Sequence, residues 1–234
     1  MKIAGLQKNS FVDYPGKIAA VVFTPGCNMN CFYCHNQALL NENADKNLLG
    51  AKKVLEFLSG RKKFLDGVVI SGGEPTIQDG LEGFIQNVRS MGYSVKLDTN
   101  GTNPHILKKL IDGRLLDYVA MDIKAPPYKY NYICRACVNM EKIRESIDLL
   151  MCEKVCYEFR TTFVPQLNEK DMLRIADRIK GARLYVLQQF RRQAVQGQKA
   201  GMHLCVHPHS SHYIKGAAEK IQEMVEKCEI RGCV

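Results

Sequence analysis

Short apolar runs rich in β-branched residues recur along the chain, and between them lie segments whose apolar residues fall three or four positions apart. That alternation predicts parallel strands joined by crossover helices. The strand runs are IAAVVF (18–23), GVVI (67–70), YSVKLD (93–98), LLDYVAMDI (115–123), CYEFRTTFV (156–164) and RLYVLQQF (183–190). The helical segments are AKKVLEFLSG, GLEGFIQNVRSMG, PHILKKLIDG, MEKIRESIDLLMCE and EKDMLRIADRIKG, most of them closed by glycine. Asn168 is placed to cap the last of these. Six β/α units in one direction fit a partial barrel or an open doubly wound sheet, and periodicity does not choose between them. Either way, ligands belong at the C-terminal ends of the strands.

The polar motifs fall where that rule asks for them. TPGCNMNCFYCHN follows the first strand, SGGEP the second, DTNG the third and DIK the fourth. Helices covering the outer faces would direct all four toward one mouth. No repeat or linker interrupts the chain before about residue 191. The expected organisation is therefore a core over 1–190 with an extension over 191–234 packed on it.

Composition narrows the function classes. The 234 residues contain no apolar tract long enough to span a bilayer and no export signal at the start, which predicts a cytoplasmic protein with no membrane partner. Ten cysteines in such a chain read as metal ligands and free thiols, not as a disulfide framework. The net charge of +9 comes from scattered pairs such as Lys52-Lys53, Lys62-Lys63, Lys108-Lys109 and Arg191-Arg192, without tryptophan or aromatic-basic interleaving. Solvated helix faces explain that pattern, so no nucleic-acid partner is expected, while an acidic protein partner is compatible with it.

Cys27, Cys31 and Cys34 follow a C-x3-C-x2-C spacing on one loop. A structural zinc ion needs four ligands, and His35, directly after Cys34, is awkwardly placed to be the fourth. Three thiolates instead suit a four-iron cluster with three irons held by protein and one open for substrate. Cys134, Cys137, Cys152 and Cys156 could together form an auxiliary site, but buried or free thiols are the simpler reading. The segment with His203, Cys205, His207, His209 and His212 reads as a solvated loop in preference to a metal site.

The cysteine trio, Tyr33 before its last member, and SGGEP one β/α unit later resemble the radical S-adenosylmethionine (SAM) superfamily. SFVDYPGK, CHN, LDTNG, MDIK, FRTTFVP and LQQF extend the resemblance to glycyl-radical-enzyme activases, most closely those of anaerobic ribonucleoside-triphosphate reductase, over about residues 5–190. The resemblance implies a partial (β/α)6 TIM-like barrel, a 4Fe-4S cluster, and SAM cleavage to a 5′-deoxyadenosyl radical. It implies that Gly72, Gly73 and Glu74 receive the methionine amino group, and that Phe32 and Tyr33 contact adenine. By similarity to pyruvate formate-lyase activase, Asp98, Thr99 and Asp122 would hold a monovalent cation beside the SAM carboxylate, with Lys124 nearby. Arg160 would contact carboxylate or ribose, and one of Gln188 and Gln189 would face SAM.

The same resemblance makes Asp13 a contact to the partner enzyme, although Asp-Tyr-Pro-Gly is also good turn chemistry. The interval between Cys34 and Gly72 holds no cysteine, so the ferredoxin-like insert of longer activases is absent from it. The expected partners are a glycyl radical enzyme, foremost anaerobic ribonucleotide reductase, and reduced flavodoxin or ferredoxin as electron donor. The alternatives are an activase of pyruvate formate-lyase, a radical SAM enzyme acting on a small molecule or peptide, and a non-catalytic zinc or iron-sulfur protein.

Overall fold

The computed structural model describes residues 1–40, 48–191 and 207–232. Eight strands form one sheet: β1 (Gly5–Ser10), β2 (Ala19–Thr24), β3 (Gly67–Gly72), β4 (Ser94–Thr99), β5 (Tyr118–Asp122), β6 (Cys156–Phe163), β7 (Tyr185–Gln189) and β8 (Cys228–Arg231). They are ordered in space as in sequence. The helices are α1 (Ala51–Ser59), α2 (Leu81–Ser90), α3 (Pro104–Asp112), α4 (Pro127–Cys134), α5 (Met140–Met151), α6 (Glu169–Arg178) and α7 (Ser211–Gln222). All six strands and five helices expected from the apolar pattern are present, in a mostly parallel α/β sheet.

The chain divides into two compact units. The first comprises Met1–Asn28, Asn36–Ala120 and Glu141–Cys156, and the second Met29–His35, Met121–Met140 and Tyr157–Val234. In the first, β2 pairs in parallel with β3, and β3 with β4, while β1 pairs antiparallel to β2. Ala19, Ala20, Val21 and Val22 are all buried, which is how a strand covered on both faces reads. Because β1 runs against β2, its exit at Ser10 lies opposite Ala19, at the end of the sheet remote from the cysteine loop that follows Thr24.

In the second unit β6, β7 and β8 are parallel. The described part of the 191–234 segment thus supplies a helix, α7, and one more strand, β8. Asn168 caps α6 as expected: its side chain accepts from the Asp171 amide, and Asp171 accepts from the Asn168 amide. Among the described residues no helix is long and apolar enough to cross a membrane.

Candidate functional site

In the first unit, three of the four strand-end motifs interlock. The Gly73 amide donates to the Thr24 carbonyl and the Glu74 amide to the Gly26 carbonyl, each at 2.8 Å. A Cβ on Gly73 would lie 1.7 Å from the Gly26 oxygen, and one on Gly72, where φ is +115°, would lie 2.3 Å from the Thr24 nitrogen. Glycine at both positions therefore lets the chain entering the cysteine loop dock on the end of β3. Asn36 Nδ2 donates to the Gly72 carbonyl (3.1 Å), and Gln78 Nε2 to that of Pro25 (2.6 Å), which ties both arms of the loop to the same place.

Glu74 is 1% exposed, and its carboxylate gathers these elements. Oε1 accepts from the Thr76 amide (3.0 Å), the Thr76 hydroxyl (2.6 Å) and the Thr99 hydroxyl (2.8 Å), and Oε2 accepts from the Asn100 amide (2.7 Å). Burial pushes its carboxyl pKa up, and these donors act against that rise. Asn100 also donates to Asn28 Oδ1 (2.9 Å) and toward the Cys27 sulfur (3.8 Å). Asp98 accepts from Lys96 Nζ at 2.5 Å on Oδ1 and from the Ser71 hydroxyl at 3.1 Å on Oδ2. Neither Asn100 nor Lys96 was singled out by the sequence.

The second unit holds the other two cysteines of the C-x3-C-x2-C trio, Cys31 and Cys34. The Cys34 amide donates to the Cys31 carbonyl (3.0 Å), and the Asn30 amide to that of Cys134 (2.9 Å). A hydrogen bond with Cys134 draws the buried Cys31 thiol down to a pKa of about 7 against the effect of burial, and the Lys124 charge assists. Phe32 and Tyr33 are buried edge to face, with centroids 5.4 Å apart, and Lys124 Nζ stands 6.0 Å from the Tyr33 ring centre. The buried Tyr33 hydroxyl has no hydrogen-bond partner among the described residues.

At the end of β5, Asp122 accepts from Arg160 Nε (2.8 Å) and Lys124 Nζ (3.0 Å). Burial would raise its pKa, but the Arg160 and Lys124 charges outweigh burial and hold it well below the usual carboxylate range. Glu158, fully buried on β6, is gripped bidentately by Arg231 of β8 (2.9 and 2.8 Å) and stands 3.9 Å from Arg160 Nη1. The register places Gln188 opposite Thr162 and Arg231, on the face shared by Glu158 and Arg160. Gln189 lies on the other face, where its Nε2 donates to the His209 carbonyl (3.1 Å).

The radical SAM superfamily profile matches residues 21–179, from within β2 to the end of α6. The chain belongs to the radical SAM superfamily. It is 39% identical over 197 residues, 80% of this chain and 79% of the relative, to a protein of Methanocaldococcus jannaschii named as a glycyl-radical enzyme activating enzyme. It is 32% identical over 128 residues, about half of each protein, to a pyruvate formate-lyase-activating enzyme of Clostridium pasteurianum. Among solved structures, Streptococcus suis SuiB superposes with a TM-score of 0.68 at 13% identity, over 91% of this chain and 49% of that one, a likeness of fold.

A radical SAM protein carries SAM and a 4Fe-4S cluster, and the donors here suit a cluster: three thiols, one shifted toward thiolate and another receiving an N–H from Asn100. Among the described residues no three His, Cys, Asp or Glu side chains are already grouped as a ligand set, so the trio rests on its spacing and the family. A monovalent cation fits less well. Both oxygens of Asp98 are engaged, the Thr99 hydroxyl is committed to Glu74, and Asp122 already has two cationic partners.

Cys134 is buried, whereas Cys137, Cys152 and Cys156 are exposed. The His209 ring hydrogen-bonds the Leu167 carbonyl (2.8 Å) and packs on Phe163 and Tyr213, while His207 and His212 are exposed. His203 and Cys205 lie outside the described residues. Asp13 accepts from the Ser10 hydroxyl within the turn after β1.

The Asp122 cluster makes a pH prediction. A carboxylate with a depressed pKa contributes stability that is present above the unfolded value, about 4, and is lost as pH falls through the folded value. Asp122→Asn would leave Arg160 and Lys124 without their shared anion. Breaking a buried pair costs about 3–5 kcal/mol, and the partial exposure of Asp122 puts the cost near the lower bound. The melting temperature should therefore drop clearly at pH 7, and the gap to wild type should narrow below about pH 4. A gap that stays constant across that range would remove the assigned role of the pair.

Proposed function

We propose that the chain is a glycyl-radical-enzyme activase whose partner is anaerobic ribonucleotide reductase. The observation that carries the reading is 39% identity to a protein named as such an activating enzyme, running over four fifths of both chains. In this reading Cys27, Cys31 and Cys34 ligate three irons of one 4Fe-4S cluster. When bound and reduced, the cluster supplies the electron that cleaves SAM to the 5′-deoxyadenosyl radical, which takes hydrogen from a glycine of the partner.

The chain's own residues orient and shield the cofactors. Gly72 and Gly73 hold the cysteine loop against β3, and Glu74 locks the turn that would face the methionine amino group. Phe32 and Tyr33 form the wall for adenine, and the unsatisfied Tyr33 hydroxyl is a group that a bound ligand or water would complete. Lys124 and Arg160, fixed by Asp122, present donors for the SAM carboxylate or ribose, and Gln188 is preferred to Gln189 because it shares Arg160's face.

Asp13 is the proposed partner contact, and beside it Phe11 and Val12 are 71% and 85% exposed. The net charge of +9 favours an acidic electron donor such as reduced flavodoxin or ferredoxin. A cytoplasmic location suits thiols that must stay reduced, and α7 and β8, the described elements of the 191–234 extension, pack on α6 and β7 of the 1–190 core.

The test is anaerobic reconstitution, reduction, and addition of SAM with candidate partners, followed by electron paramagnetic resonance. A glycyl radical on anaerobic ribonucleotide reductase is the expected result. Active SAM cleavage with a radical on pyruvate formate-lyase instead would transfer the assignment to that partner, and cleavage with neither would point to a small-molecule or peptide substrate.

A further inference from the structure

Lys96 lies in the middle of β4, and only 2% of its side chain is exposed. An ammonium so buried is costly unless it is paired. Its partner is Asp98, two residues on and therefore on the same face of the strand, at 2.5 Å. The second Asp98 oxygen accepts from Ser71 of β3, and the next residue, Thr99, gives its hydroxyl to Glu74. The groups that family resemblance would offer to a monovalent metal ion at this strand end are thus already occupied, and a side chain of the same +1 charge stands against the acid.

We propose that Lys96 is the resident counter-ion of Asp98, a tethered ammonium that does at the end of β4 what a bound sodium or potassium ion would otherwise do. Being covalently attached, it is not lost by dilution, whereas a free ion is present only in proportion to its concentration. The chain should then be indifferent to which monovalent cation the buffer contains. The functional side of this inference rests on the SAM-site reading of Asp98, but the charge pairing does not.

The experiment separates the two. Thermal unfolding of the cluster-free protein is followed at equal ionic strength in sodium, potassium and tetramethylammonium chloride, the last being too bulky to replace a bound metal ion. Wild type should melt at the same temperature in all three. Lys96→Met should melt lower in tetramethylammonium and recover part of the loss in sodium or potassium, because Asp98 then needs a counter-ion from solution. A cation at about ten times its dissociation constant shifts the folding equilibrium about tenfold, a rise of roughly 3–5 °C in a chain of this size.

Adding Asp98→Asn to Lys96→Met should abolish that recovery. Wild-type melting that rises in sodium or potassium over tetramethylammonium would overturn the inference, and so would a Lys96→Met protein with no cation response. If Lys96→Met does not fold, the wild-type comparison still decides. In the reconstituted protein, SAM affinity should change by less than about twofold between the three salts, within the range of general salt screening. A dependence confined to this last measurement would count against the proposal at the ligand site while leaving the activase reading intact.

Discussion

Cys31→Ala should leave a folded protein that, after anaerobic reconstitution, neither retains iron nor yields 5′-deoxyadenosine from SAM. Cys31 is the cysteine whose thiol a hydrogen bond with Cys134 draws down to about 7, which favours the thiolate that the proposed iron ligand would have to be. Its side chain is small, and trimming one sulfur atom should cost little stability beside the loss of a ligand. The matched control is Cys152→Ala, at an exposed cysteine after α5. That variant should keep about four irons per chain and wild-type cleavage. Iron lost from Cys152→Ala, or retained with full activity by Cys31→Ala, would defeat the assignment of the trio as the ligands. Stoichiometric zinc without iron in the wild type would favour a non-catalytic metal protein.

Gly73→Ala should be the most damaging substitution of a single hydrogen by a methyl group. The added carbon would meet the Gly26 carbonyl oxygen at 1.7 Å, and that oxygen is backbone, already accepting from the Glu74 amide. No rotamer change relieves the clash, so the cysteine loop must lift from the end of β3. Overpacking costs typically about 1–3 kcal/mol and occasionally more, and here a backbone hydrogen bond worth about 1 kcal/mol goes with it. A total near 4 kcal/mol corresponds to a fall in melting temperature of roughly 8–16 °C for a chain of this length. Iron retention should fall with it, because Cys27 is in the displaced segment. A Gly73→Ala protein with wild-type melting and iron content would show that the docking is not needed. Gly83→Ala, with nothing near its added carbon, is the control.

Much of this could be read from the residues because the inner strands, such as β2 and β3, are covered on both faces. Runs such as GVVI and YVAMD have no polar alternation to confuse with surface, and the motifs at their ends stand out against them. What escaped has physical causes. β1 reads GLQKNS, a polar edge strand whose pairing is antiparallel and whose middle is exposed, so it carries little apolar signal. β8 is four residues long and only half-buried, and α4 opens on proline with aromatic and polar residues around most of its circumference.

Lys96 escaped because a lysine inside a strand normally marks the solvent face. The signal that could have found it is Asp98 two positions later, a same-face ion pair on a strand flanked by apolar neighbours. The glycines of SGGEP stand out in the sequence as part of a motif, but the contact that requires them does not. The close approach of Gly26 to Gly73 is a contact between residues 47 positions apart, which no local pattern records. Period-two alternation tells only that Gln188 and Gln189 face opposite ways, and the register with β6 decides between them.

The grip of Arg231 on Glu158 gives the last described strand a say in which anion Arg160 serves. Arg160 has two carboxylates within reach, Asp122 at 2.8 Å and Glu158 at 3.9 Å, and Glu158 is kept from competing because a second guanidinium occupies both its oxygens. Loss of Arg231 would release that buried carboxylate to bid for Arg160, so a lesion in β8 would be felt at Asp122, more than a hundred residues earlier in the sequence.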